Sequence, residues 1–213
     1  MKLRWKIAQA AELRWWKNYL RRQPVDDYLT AKKEYWLRVM QQLGVFPEAG
    51  ETILDAGSGP AGIFIVFDHQ KVVAVDPLLD RYTDQLSHFN PEIYPNVNFI
   101  SETLENFTAE KKFNYVFCLN AINHVADINL SLDNLFSLLA PGGKLIISSD
   151  AHRHNWLKPI FKLIPGDILH PHQYDLKEYR DMLLERGGKI QKEICLKKGK
   201  IFDYWIWVIR HDN

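Results

Sequence analysis

Ile53-Leu54-Asp55-Ala56-Gly57-Ser58-Gly59-Pro60-Ala61-Gly62 is an apolar run that ends in an acid and turns through glycines toward a helix. Glycines let a backbone approach a ligand closely, and a helix N-terminus offers unpaired N–H groups to it. Nineteen residues after Gly57, Asp76 closes the next apolar run. A carboxylate so placed can accept both hydroxyls of a ribose. Read literally, residues 57–62 also match the dinucleotide fingerprint GxGxxG, which by itself decides little.

Around this loop the chain alternates. Strand-like runs fall at 52–55, 71–76, 96–101, 115–120 and 144–149, with helical patterns at 61–68, 78–88, 129–140 and 175–187. Alternation of this kind predicts βαβ units and a parallel sheet. The last helix carries its own punctuation, with Asp175 as cap, Glu178 three residues on, and Gly187-Gly188 after it. Residues 189–197 and 201–210 then alternate around Lys198-Gly199, a hairpin signal that ends the sheet antiparallel. Residues 1–50 read as two helices, the first punctuated by Pro24 and the second opening at Asp26 or Asp27 and closing at Gly44. Four of the seven tryptophans (Trp5, Trp15, Trp16 and Trp36) lie in this segment, so the helices are expected to pack on something large. The predicted organisation is a helical cap over 1–50 and an α/β domain over 51–213.

Composition bounds the function. Of 213 residues, 46% are hydrophobic and 25% charged, as in ordinary globular proteins. The apolar run at residues 63–67 is far short of the ~20 a membrane helix needs. No secretory signal is visible, and Cys118 and Cys195 make no disulfide framework, so the expected setting is cytoplasmic. Net charge is +1, which argues against a broad nucleic-acid surface. The first 24 residues nonetheless carry seven basic side chains against the single acid Glu12.

Asp55 separates two cofactor classes. Pyrophosphate is anionic and a carboxylate two residues before the first glycine would repel it, whereas a sulfonium and an ammonium tolerate the acid. With Val75-Asp76, with Asn120-Ala121-Ile122-Asn123-His124-Val125 after the fourth strand and with Ala140-Pro141-Gly142-Gly143-Lys144 before the fifth, the chain resembles the class I S-adenosylmethionine-dependent methyltransferases. The resemblance covers about residues 50–210. It implies a Rossmann-like, doubly wound seven-stranded sheet, mostly parallel with an antiparallel last strand. It also implies S-adenosylmethionine as cofactor, with Gly57, Ser58 and Gly59 around the methionine part and Asp55 near its ammonium. Asp76 would hold the ribose, Pro77 or Leu78 would lie on the adenine, Glu102, Thr103 and Leu104 would meet the adenine edge, and Asn120 would border the methyl. Ala61 departs from the family where a third glycine is common, and Ser101-Glu102-Thr103-Leu104-Glu105 departs from its usual adenine segment.

The acceptor is read from the remaining chemistry. Methyl transfer is an in-line displacement that depends mostly on positioning and needs a base only if the acceptor arrives protonated. His124 is the candidate base, or else a histidine that caps the following helix. His152-Arg153-His154 and His170-Pro171-His172 could line a pocket, bind a metal or lie on the surface, and no metal site is expected. The Asn/Asp-Pro-Pro-aromatic motif of nucleobase amino-methylating enzymes is missing, and Cys118 sits inside a predicted strand rather than after proline. The expected acceptor is therefore a small, partly apolar molecule, enclosed by the N-terminal helices and the apolar stretch 155–170. RNA or protein methylation through the basic helix, and a non-catalytic binding module, remain alternatives. Membrane-surface attachment is a further reading of that helix. Oligomeric state is not predicted.

Overall fold

The computed structural model describes residues 2–153, 172 and 174–211. Two helices, α1 (Lys2–Leu20) and α2 (Val25–Leu43), precede the sheet. Pro24 occupies the cap of α2, two residues before the nearer of the expected aspartates, because its fixed φ pre-sets the helical entry. Asp26 and Asp27 fall instead in the first turn, where the helix dipole favours negative charge. Gly44 ends α2 at φ 68°, a left-handed conformation glycine adopts freely.

The strands are β1 (Thr52–Ala56), β2 (Lys71–Val75), β3 (Val97–Ile100), β4 (Phe113–Leu119), β5 (Leu139–His152), β6 (Gly188–Lys197) and β7 (Phe202–His211). They form one sheet in the order β3-β2-β1-β4-β5-β7-β6. Pairs among β1 to β5 are parallel, and β7 runs antiparallel to both β5 and β6. The expected seven-stranded sheet with a reversed last strand is present. The helices α3 (Leu79–Gln85), α4 (Ile128–Ser137) and α5 (Leu176–Glu185) complete the layers. The expected capping box at Asp175 and Glu178 is formed in full.

Two local differences stand out. No α-helix occupies 61–68; two 3-10 turns, Gly59–Ala61 and Ile63–Val66, link β1 to β2. Gly59, Pro60 and Gly62 break any longer helix, and residues 63–65 are buried, so no solvent face exists for an amphipathic helix. In addition, β5 begins at Leu139, ahead of the predicted turn. Leu139 pairs with Phe113 and Lys144 with Tyr115, so residues 140–143 bulge out between two paired ends.

Alternation along each strand feeds two cores. On β1, Ile53 points into the core that includes Trp36 and Met40 of α2, and Leu54 into the one that includes Leu132 of α4. Phe64 is fully buried in the first, with Tyr94 and Phe99 edge-on at 5.1 Å each. Such pairs add ~0.5–1.5 kcal/mol to area burial. Among the described residues no helix is long and apolar enough to cross a membrane.

Candidate cofactor and acceptor site

Strand order reverses between β1 and β4, which are neighbours although the chain visits β2 and β3 between them. In open parallel sheets the crevice beyond the carboxyl ends at such a switch is where ligands bind. Here β1 runs into Gly57 and β4 into Asn120, and a cavity of about 540 Å³ opens at that place. Its size falls in the range of small-molecule sites.

The glycine turn forms its floor. Gly57 (φ 73°) and Gly59 (φ 58°) are left-handed, and the Gly57 and Ser58 amides donate to the Val75 carbonyl at 2.7 and 3.1 Å. A Cβ on Gly57 would lie 2.3 Å from the Cβ of Ala121, so the turn and the segment after β4 meet across bare backbone. Asp76 reaches over from β2. Its Oδ2 accepts the Gly59 amide at 3.0 Å and its Oδ1 the Leu78 amide at 2.9 Å. Burial lifts its carboxyl to about 6 against those two donors.

Of the expected site residues, Gly57, Ser58, Gly59, Asp76, Pro77, Thr103, Leu104, Asn120 and His124 line the cavity. Three stand behind its wall. Asp55 is buried beneath the turn, where its Oδ2 accepts the Phe64 amide at 3.0 Å, and burial raises it to about 7. It braces the turn rather than facing the cavity. Leu78 is buried in the first core, and Glu102 folds its Oε1 onto the Thr103 amide at 2.8 Å. Glu105 joins the two sides instead, its Oε1 accepting from the amides of Ala126 and Asp127 at 2.7 and 3.0 Å.

Asn120 has φ 55°, an uncommon left-handed conformation for a residue other than glycine. Its amide donates to Ser148 Oγ at 2.9 Å, and that hydroxyl bonds Tyr204 Oη at 2.6 Å. Strain of this kind concentrates at functional sites. His124 lies one short turn further on, its amide donating to the Ala121 carbonyl at 2.9 Å.

Several lining residues escaped the sequence reading as site groups. Glu12, Lys32, Tyr35 and Trp36 come from α1 and α2, and Lys197 and Tyr204 from the far half of the sheet. The Trp36 indole donates to the Ala61 carbonyl at 3.2 Å, anchoring α2 to the glycine turn. Lys32 Nζ stands 5.5 to 6.0 Å from the ring centres of Trp36, Tyr35 and Tyr28, and burial lowers its pKa.

The histidine pairs divide. His152 is buried against Phe202, ring centres 4.4 Å apart, and His172 stacks over Tyr174 at 6.3 Å. Neither lines the cavity, while His154, His170 and the stretch 155–170 lie outside the described residues. Among the described residues no group of three His, Cys, Asp or Glu could hold a metal ion. Cys118 is fully buried, which pushes its thiol up and makes it a core residue.

A family model described as a methyltransferase domain matches residues 28–193. Over 110 residues the chain is 26% identical to a ubiquinone biosynthesis O-methyltransferase of Nitrobacter winogradskyi, which aligns 51% of this chain with 41% of that protein. The match thus spans about two fifths of that relative's length. Among solved structures, the fold resembles N-methyltransferase NodS of Bradyrhizobium japonicum in complex with S-adenosylhomocysteine. The TM-score is 0.63 at 14% identity, covering 92% of this chain and 91% of that one. It also resembles 1,6-didemethyltoxoflavin-N1-methyltransferase of Burkholderia thailandensis with bound 1,6-didemethyltoxoflavin and S-adenosylhomocysteine. There the TM-score is 0.62 at 15% identity, covering 99% of this chain and 88% of the other. At these identities both likenesses are of fold.

Proposed function

The chain belongs to the methyltransferase-domain family, and from that premise we propose that it moves a methyl group from S-adenosylmethionine to a small, partly apolar acceptor. The observation that carries this reading is the cavity at the β1–β4 switch, with left-handed Gly57 and Gly59 in its floor and Asp76 at its edge. The cofactor fits the donor set. Gly59, left-handed in the cavity floor, presents bare backbone to a ligand chain, and each Asp76 oxygen keeps a second lone pair for a ribose hydroxyl.

In this reading Gly57, Ser58 and Gly59 cradle the methionine part, and Lys32 offers a cation to its carboxylate. Asp55 acts at one remove, by holding the turn through Phe64. Pro77, Thr103 and Leu104 border the adenine. When bound, S-adenosylmethionine supplies an electrophilic methyl on a sulfonium. Asn120, Tyr204 and Asp150 fix the acceptor beside it, and His124 takes the proton of an acceptor that arrives as an alcohol, phenol or protonated amine. Aromatic walls from Trp15, Trp16, Tyr19, Tyr35 and Trp36 favour a flat or apolar acceptor over a polynucleotide. They also support a lid role for residues 1–50, since α1 faces the cavity. The two free thiols suit a cytoplasmic setting.

Calorimetric titration of S-adenosylhomocysteine into wild type and Asp76→Ala tests the reading. Micromolar binding by wild type that collapses in the variant is expected. Absence of wild-type binding would overturn it and leave the binding-module alternative.

A further inference from the structure

Helix α1 brings more than a cover to the cavity. Gln9, Glu12 and Trp16 follow one another at spacings of three and four, so they share one helical face, and all three line the cavity. Trp16 lies against the glycine turn, its ring 3.6 Å from where a Cβ on Gly59 would stand. The polar groups on this face are poorly provided for. Gln9 Nε2 is buried without a hydrogen-bond partner among the described residues. The hydroxyl of Tyr82, a fully buried side chain under the negative influence of Asp76 and Glu12, is in the same state. Burial, with the nearby charge of Asp76, pushes the Glu12 carboxyl up to about 8 in spite of a hydrogen bond with the Trp16 side chain.

A buried acid, a half-buried acid within its field and an idle amide donor are costly in a bare protein. They complement a nucleoside, whose ribose hydroxyls donate and whose ring nitrogens accept. We propose that α1 carries a second cofactor-recognition face, on which Glu12 joins Asp76 at the ribose hydroxyls and Gln9 donates to an acceptor on the same nucleoside. This rests on the cofactor reading above and extends it, because the ribose is then gripped by two acids 64 residues apart in sequence rather than from the end of β2 alone.

The test is a calorimetric cycle using S-adenosylhomocysteine and its 2′,3′-dideoxy analogue against wild type, Glu12→Ala, Glu12→Gln and Gln9→Ala. With its carboxyl near 8, Glu12 is mostly neutral at pH 7, and a hydrogen bond of that kind corresponds to roughly several-fold in affinity. Glu12→Ala is therefore expected to weaken S-adenosylhomocysteine about five- to tenfold and the dideoxy analogue less than about threefold. Glu12→Gln preserves volume and one acceptor oxygen, so it should recover part of the loss and serve if the alanine variant fails to fold. Gln9→Ala should weaken both ligands several-fold. Equal losses for the two ligands in Glu12→Ala, or unchanged affinity there while Asp76→Ala abolishes binding, would overturn the inference and leave the cofactor reading standing. Absence of wild-type binding would remove both.

Discussion

The Asp76 carboxylate at the end of β2 accepts the Gly59 amide from the turn after β1, at 3.0 Å, and the Leu78 amide with its other oxygen. The acid that would bind ribose and the turn that would cradle the amino acid thus form one unit. Asp76→Ala leaves both amides without acceptors, at a cost of ~1–3 kcal/mol for each that stays buried. Native-state hydrogen exchange at Gly59 and Leu78 should quicken at least about tenfold, while α5 keeps its protection. Unaltered exchange at both amides would separate the acid from the turn.

Gly57 meets two constraints at once. A side chain there would adopt φ 73° and place its Cβ 2.3 Å from that of Ala121. Gly57→Ala should cost roughly 2–4 kcal/mol through strain and overpacking and abolish S-adenosylhomocysteine binding. For a domain of this size each kcal/mol lowers Tm by about 2–4 °C. A melting curve superimposable on wild type would refute the clash.

Burial raises the Asp55 carboxyl from its ordinary 3.8 to about 7; the Phe64 amide opposes this and the Asp76 charge adds to it. Between those two values the folded chain holds a proton that the unfolded chain has lost. Its contribution is present in full below pH about 4 and disappears as pH rises through about 7. Asp55→Asn stays neutral throughout. Relative to wild type it should gain stability as pH climbs across that window, by up to about 1.4 kcal/mol per pH unit. Urea midpoints at a series of pH values check this, and a pH-independent difference between the two proteins would rule it out.

For an acceptor that carries a proton, His124→Gln should leave S-adenosylhomocysteine affinity within about twofold of wild type and lower turnover on the order of 10²-fold. A drop smaller than about threefold would assign His124 to the wall of the cavity alone.

What the sequence made legible follows from how local each signal is. The strands announce themselves by short apolar runs, and the glycine turn by residues no other backbone needs so closely together. The turn region 61–68 misled, since residues 63–67 form an apolar run with no period to choose between helix and turn. Asp55 was placed correctly on its strand, yet its partner is Phe64 and not open space, a fact set by how the two 3-10 turns fold back. Glu12, Lys32 and Tyr204 could not be assigned to the site at all. They reach it from α1, α2 and β7 by tertiary packing, and in sequence each looks like an ordinary member of its element.

The strand latest in sequence, β7, lies between β5 and β6, hydrogen-bonded to both. It also delivers Tyr204 to the bond with Ser148, and the Trp207 indole to Glu193 at 2.8 Å. During synthesis, therefore, β6 cannot join the sheet until residues 202–211 have left the ribosome, and β5 presents an open edge meanwhile. The first five strands can gather as they emerge, but the pocket wall that holds Tyr204 waits for β7, so the binding site is completed after the half of the sheet that carries the glycine turn.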